Sequence, residues 1–291
     1  MPTIDVEAAL GSFVAAVDAE GLGVYGVHLR RGEETASHRW RSDDRVNLYS
    51  VSKGVCAVAA GIAIDERLLT LDTRVGDALP GMVLGPGVDE VTMRHLLSMT
   101  SGIDFRWFGH EPIVWPDLAA EMLSRPSIGR RFQYTDASTY VAMRVLGAIV
   151  GDVRDWLLPR LFDPLQIDNP QWHHCPLGWI IGGTGLELRT SELARIGDVL
   201  LDRGRWKADR LVSPEWVDAM HATWVDTGNP PPMDRYGLAT WAGPGGTWRF
   251  EGRYGQFVVV LDDAVATITA HEEAAEDRIA ALAIEVLTGS P

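Results

Sequence analysis

Apolar residues recur at helical spacing between Val6 and Glu20 (Val6, Leu10, Phe13, Val14, Val17), and the run from Val24 to Leu29 then alternates apolar with polar side chains. The first pattern predicts an amphipathic helix and the second a half-buried strand. Arg31-Gly32-Glu33-Glu34 reads as a polar turn, with a second strand continuing through Trp40. At the far end, Tyr236–Trp241, Thr247–Glu251, Gln256–Leu261 and Val265–Ala270 read as short strands separated by glycines or paired aspartates. A last helical pattern, Glu273 to Leu287, closes the chain.

Strands gathered at both ends with short connections predict one antiparallel sheet, its two terminal helices on the same face. The termini are then spatial neighbours. Between the ends, helical patterns dominate: Met93–Met99, Tyr140–Val150, Ser191–Asp202 and Pro214–His221. The expected fold class is therefore α+β, with a sheet unit made of residues 1–65 and 225–291 and an inserted all-helical domain over 66–224. Asn229-Pro230-Pro231-Pro232 reads as a loop returning to the sheet.

With 291 residues and 46% hydrophobic content, the chain has the material for a substantial core. Its formal charge of −14 argues against nucleic acid or an anionic membrane as partner, since either needs a basic face. The start, Met1-Pro2-Thr3-Ile4-Asp5-Val6-Glu7, lacks the basic and apolar segments of a secretory leader. Val55–Ile64, the longest apolar run, falls well short of the ~20 residues that span a bilayer. A cytoplasmic protein is expected. Cys56 and Cys175 are too few for a disulfide framework and call for no redox role.

Chemistry enters with Ser50-Val51-Ser52-Lys53. Lys53 is one of only two lysines, against twenty-four arginines. A lysine amine changes its proton affinity when desolvated, which a guanidinium does not do. The helical pattern from Ser52 to Leu68 puts Ser50 at or before the first turn and Lys53 one turn on, on the same face. Nucleophile and base can then touch, and the free N–H groups of the helix start favour a developing oxyanion.

The surrounding stretches resemble the class C β-lactamase, DD-peptidase and esterase family of serine hydrolases. Val91-Thr92-Met93-Arg94-His95-Leu96-Leu97-Ser98-Met99-Thr100-Ser101-Gly102 matches the family's T-x-R-H-L-L-S-x-T-S-G, and Leu71-Asp72-Thr73-Arg74-Val75 is similar to its L-D-D-x-V. Gly182-Gly183-Thr184-Gly185-Leu186, Thr190-Ser191-Glu192-Leu193-Ala194-Arg195 and Leu211-Val212-Ser213-Pro214-Glu215-Trp216 fit its later landmarks. The resemblance implies a β-lactamase/transpeptidase-like fold; no cofactor and no metal are expected. It also implies a tyrosine from the helical section: Phe132-Gln133-Tyr134-Thr135-Asp136 lies where the family has Tyr-x-Asn, making Tyr134 the candidate proton shuttle. Two departures stand out. Asp136 replaces the usual asparagine, and the strand motif Lys-Thr-Gly is absent, its place taken by Phe250-Glu251-Gly252-Arg253-Tyr254-Gly255-Gln256. This stretch resembles the G-x-x-G-Q of the esterase and amide-hydrolase branches, with the Arg253 backbone N–H, beside that of Ser50, as the candidate oxyanion donor. Gly252, Glu251 and Asp136 complete the expected substrate-contacting set.

Several other patterns carry less. Gly21-Leu22-Gly23-Val24-Tyr25-Gly26 spells G-x-G-x-x-G, but a helix precedes it and a strand follows, the reverse of the dinucleotide-binding order. Trp172-His173-His174-Cys175 lacks a second ligand pair at metal-site spacing. His95 reads as a hydrogen-bonded structural histidine. The leading expectation is a serine hydrolase acting on a small ester or amide through an acyl-enzyme at Ser50. Acyl transfer at the same site, β-lactam hydrolysis, and a weakly catalytic ligand-binding or sensing homologue are the alternatives.

Overall fold

The computed structural model describes residues 5–289; the start of the chain used in the leader reading, residues 1–4, and the final two residues lie outside it. From the N-terminus run α1 (Val6–Glu20), β1 (Val24–Arg31), β2 (Glu34–Arg39), the short β3 (Val46–Asn47) and α2 (Val51–Asp65). The middle of the chain holds α3 (Val75–Ala78), α4 (Met93–Leu97), α5 (Leu118–Leu123), α6 (Asp136–Val150) and α7 (Val153–Leu157). After β4 (Gln171–Trp172) and β5 (Leu186–Leu188) come α8 (Thr190–Leu201), the β6–β7 hairpin (Arg205–Trp206, Asp209–Arg210) and α9 (Pro214–Ala222). The last section is β8 (Val225–Asp226), β9 (Arg235–Tyr236), β10 (Trp241–Ala242), β11 (Trp248–Gly252), β12 (Gln256–Val260), β13 (Ala264–Ala270) and α10 (Glu276–Thr288).

Eight strands form one antiparallel sheet in the order β2-β1-β13-β12-β11-β10-β9-β8, so strands from the two ends of the chain pair at β1–β13, one strand in from the β2 edge. The fold is α+β. In β12 nothing is polar after Gln256, yet the two-residue period still sorts the strand: Phe257 and Val259 pack with α1 and α10, whereas Val258 and Val260 face the core around α2 and α8. A sheet covered on both faces loses the usual alternation of polar and apolar residues, and its strands read as continuous apolar runs. The α1–α10 side is closed by Phe13, Val17, Ile279 and Leu287, each contributing about 1.5–3 kcal/mol of burial. Arg278 bridges the two terminal helices by reaching Glu20 at 2.9 Å.

α8 falls within 66–224 in the sequence but lies on the sheet: Thr190 and Thr269 hydroxyls meet at 2.7 Å, and Gly197 approaches Thr267. A sheet unit of 1–65 and 225–291 with residues 66–224 inserted remains our proposed division, but the insert, expected to be all helical, also holds β4, β5 and the β6–β7 hairpin, and its α8 seals the sheet. Several expected elements differ from those found, and two of the differences have a cause in hydrogen bonding. The stretch 236–241 is split between β9 and β10, because Leu238 and Ala239 donate their N–H groups to Met220 and Leu97 of the helical section and Ala239 takes a left-handed conformation. The closing helix starts at Glu276 rather than Glu273, because the Glu272 carboxylate accepts the N–H groups of Gly23, Ala274 and Ala275 and fixes a turn there.

Candidate active site

Ser50 immediately precedes α2, and its side chain caps none of the helix N–H groups. The hydroxyl is committed elsewhere: Lys53 Nζ donates to Ser50 Oγ at 2.8 Å. Tyr49, just before it, has a φ of 47°, an uncommon conformation for a non-glycine residue. Asn47 holds that turn, its Oδ1 accepting from the Tyr49 N–H at 2.9 Å and from Gly185 at 3.1 Å. The helix beyond is buried almost all round, so the amine of Lys53, 1% exposed, is set in an apolar core.

A charge in that position needs partners. Lys53 Nζ donates to Asp136 Oδ1 at 2.5 Å and to the carbonyl of Gly183 at 2.9 Å, and it lies 4.7 Å from the centre of the Tyr134 ring. Burial alone would push the amine below the ordinary lysine range, but Asp136 and Tyr134 outweigh it and hold it above. Asp136 is the first residue of α6, where the helix dipole favours a carboxylate. Its second oxygen, Oδ2, accepts from the Gly109 N–H at 2.8 Å. Thr135 caps the same helix and ties it to residue 107: it accepts from the Trp107 N–H at 3.1 Å and donates to the Trp107 carbonyl at 3.0 Å. Tyr134 is half-buried against Tyr236 and Trp241. Burial raises the proton affinity of its phenol, and Lys53 and Ser50 offset part of the rise.

Two hollows meet at Ser50. One, of about 580 Å³, is lined by Tyr134, Trp241, the Asn229–Met233 loop, Glu251, Gly252, Arg253, Glu276 and Asp277. The other, of about 550 Å³, is lined by Tyr49, Phe108, Gly109, His110, Asp136 and His173. Ser50, Tyr134 and Arg253 border both. β11 ends against the Ser50 turn, where a Cβ on Gly252 would stand 2.3 Å from the Leu48 carbonyl, so only glycine fits. Arg253 follows in the β11–β12 turn. Its backbone N–H and that of Ser50 are absent from the turn and loop hydrogen bonds among the described residues. Glu251 does face the first hollow, but it is paired with Arg249 at 2.6 Å. Burial pushes its carboxyl up, with Arg249 offsetting part of the rise.

The residues expected from the sequence thus gather at one cleft: Ser50, Tyr134, Asp136, Glu251, Gly252 and Arg253 line it, and Lys53 lies directly behind Ser50. Both oxygens of Asp136 are engaged by the protein's own donors, Lys53 and Gly109. Sequence reasoning gave no role to Asn47, Tyr49, Gly109, Gly183 or Arg249. Gly182-Gly183-Thr184-Gly185 was a visible landmark, yet nothing in it says that the Gly183 carbonyl accepts from Lys53. The histidines and cysteine given no catalytic role are engaged elsewhere. His173 meets Glu187 at 3.1 Å, His174 meets Asp152 at 2.7 Å and Cys175 meets the Tyr140 hydroxyl at 3.2 Å. His95 accepts from the Thr92 N–H and caps α4. Among the described residues no helix is long and apolar enough to cross a membrane.

Comparison with known proteins extends these observations. The chain is 27% identical over 224 residues to the 6-aminohexanoate-dimer hydrolase of Paenarthrobacter ureafaciens; the match covers 66% of this chain and 55% of that relative. The chain therefore spans about half the length of the curated relative it matches. Its fold is shared with a penicillin-binding protein homologue from Caulobacter crescentus (TM-score 0.79, 18% identity, 99% of this chain and 98% of that one). It is shared also with the D-amino acid amidase of Ochrobactrum anthropi (TM-score 0.75, 14% identity, 98% and 99%). The sequence model of the Beta-lactamase family matches residues 7–284, and the chain belongs to that family.

Proposed function

We propose that this protein is a serine hydrolase that forms an acyl-enzyme at Ser50 and releases it to water, with a small ester or amide as substrate. The observation that carries the reading is the 2.8 Å contact between Ser50 Oγ and the buried Lys53 amine at the junction of two hollows. The similarity to the 6-aminohexanoate-dimer hydrolase of Paenarthrobacter ureafaciens supports hydrolysis as the reaction type.

In the acylation step the Ser50 proton leaves through the Lys53 and Tyr134 pair, which becomes a base once the pair has lost one proton between them. The serine oxygen attacks the carbonyl, and the resulting oxyanion is received by the N–H groups of Ser50 and Arg253. Tyr134, bordering both hollows, returns the proton to the leaving alcohol or amine. Water then repeats the sequence on the acyl-enzyme. Glu276 and Asp277 outnumber Arg253 on the larger hollow, Glu251 being paired with Arg249, and this acidic lining favours a neutral or cationic substrate group over a carboxylate.

The test is a chromogenic short-chain ester, with the protein mass measured during turnover. Wild type is expected to gain the acyl mass at Ser50, and Ser50→Ala to lose both the adduct and turnover. A folded wild type that neither turns over esters and amides nor gains mass would overturn the reading.

A further inference from the structure

Three acceptors surround Lys53 Nζ: Ser50 Oγ at 2.8 Å, Asp136 Oδ1 at 2.5 Å and the Gly183 carbonyl at 2.9 Å. An ammonium has three hydrogens to give, and a neutral amine has two and a lone pair. Asp136 in turn is met by two donors, Lys53 Nζ on one oxygen and the Gly109 N–H on the other. A carboxylate satisfies both. An asparagine offers one oxygen and one NH2, so with its oxygen on Gly109 its NH2 would face Lys53. That contact is favourable only if the lysine lone pair is free to accept it.

We propose that the residue at position 136 selects the charge of Lys53: the carboxylate of this chain fixes it as an ammonium, whereas an amide there would fit the neutral amine. Asp136 acts through Lys53 and is a positioning residue. It also joins the charge at Lys53 to a wall of the cleft, because the Gly109 N–H that it accepts lies between Phe108 and His110, both lining the smaller hollow. That segment packs closely on its neighbours, since a Cβ on Gly109 would stand 2.3 Å from the Thr184 side chain. The other titratable groups around the pair are Tyr134, Tyr236 and the Cys56 thiol, the last donating to the Gly182 carbonyl.

Removing the negative charge at 136 makes a proton on Lys53, and on the adjoining Tyr134, easier to lose. The rising limb of the activity profile then moves to lower pH. The kinetic consequence rests on Ser50 being the nucleophile, but the charge of Lys53 does not, and the two are measured separately.

The chain has only two lysines, so protein labelled with ¹⁵N at lysine Nζ gives two side-chain signals, the exposed Lys207 serving as internal reference. In wild type, Lys53 is expected to keep its ammonium signal past the ordinary lysine midpoint. In Asp136→Asn its midpoint is expected to fall by more than about one unit, with the rising limb of kcat/KM for an ester moving the same way. A neutral Lys53 below the ordinary midpoint in wild type would overturn the proposal. So would an Asp136→Asn protein in which both the signal and the limb stay in place, the result a purely structural aspartate gives. If that variant does not fold, the wild-type titration decides alone. Wild type that holds the ammonium but turns over no ester would sink the hydrolase reading and leave this inference standing.

Discussion

Lys53 with Asp136 on one side of the cleft, and Arg249 with Glu251 on the other, are both cation–carboxylate pairs drawn out of water, with side-chain exposures of 1% and 5% against 3% and 13%. They differ in where the remaining donors of the cation go. Arg249 donates to the carbonyls of Ala242 at 2.8 Å and Pro232 at 3.3 Å, so besides its carboxylate it grips backbone and fixes the shape of the larger hollow. Lys53 gives one donor to backbone, one to its carboxylate and the third to the Ser50 hydroxyl. Burying an ion pair is poor grounds for expecting added stability, since desolvation offsets much of the attraction. The destination of the last donor separates a pair that shapes a cleft from one placed to do chemistry in it.

The most severe break of this contrast is Lys53→Met. The variant removes one member of the Lys53–Tyr134 pair through which the Ser50 proton leaves and strands the Asp136 carboxylate, so kcat/KM for an ester is expected to fall by about 10³-fold or more. Unfolding free energy should fall by roughly 3–5 kcal/mol unless Asp136 takes up a proton. Steady-state kinetics and urea unfolding at two pH values separate the losses, because protonating the stranded carboxylate at low pH restores stability and leaves activity low. Activity within tenfold of wild type would show that Lys53 is no base.

The contact that sets the two pairs apart, Lys53 with Ser50, could be found from the sequence. Ser50 and Lys53 are one helical turn apart, and local spacing fixes their contact whatever the rest of the chain does. Tyr134 and Asp136 came from resemblance to a motif, since no local rule brings residues 53 and 136 together. Arg249 and Glu251 sit two apart on one strand and so on one face, but a strand period does not tell which face opens on a cleft and which on a core. The sheet was legible because its strands are short, apolar and separated by turn residues. The break at residues 237–240 was not, because its cause is backbone hydrogen bonding to Leu97 and Met220, far away in sequence. The second bond of Asp136 escaped for the same reason: Gly109 carries no side chain to advertise its N–H.

A smaller effect is expected from Arg249→Met. Glu251 loses its cation while the carbonyls of Ala242 and Pro232 lose a donor, which costs about 3 kcal/mol. The Asn229–Met233 wall loosens as a result, so KM for the ester should rise several-fold with kcat nearly kept. Ser50 and Lys53 are untouched. Loss of kcat at constant KM would place Arg249 in the chemistry and erase the distinction drawn above.

Glu251→Gln is expected to change least. The amide oxygen can still accept from Arg249 Nε, and the other Arg249 donors keep their backbone acceptors. For a neutral ester kcat/KM should stay within about threefold, and only a substrate carrying an ammonium group should bind less well. Stability carries the sharper signature. Burial raises the folded-state affinity of Glu251 for its proton, with Arg249 offsetting part of the rise. The folded protein therefore holds this proton at pH values where the unfolded chain has lost it, and stability falls as pH rises from the ordinary glutamate range through that interval. An amide at this position has no proton to lose, so the variant should lack that fall and gain in stability relative to wild type as pH rises through the interval. Unfolding curves between pH 4 and pH 8 read the difference directly. A Glu251→Gln protein less stable than wild type across the whole range would mean that the Arg249 pair draws its strength from charge rather than from the backbone it holds.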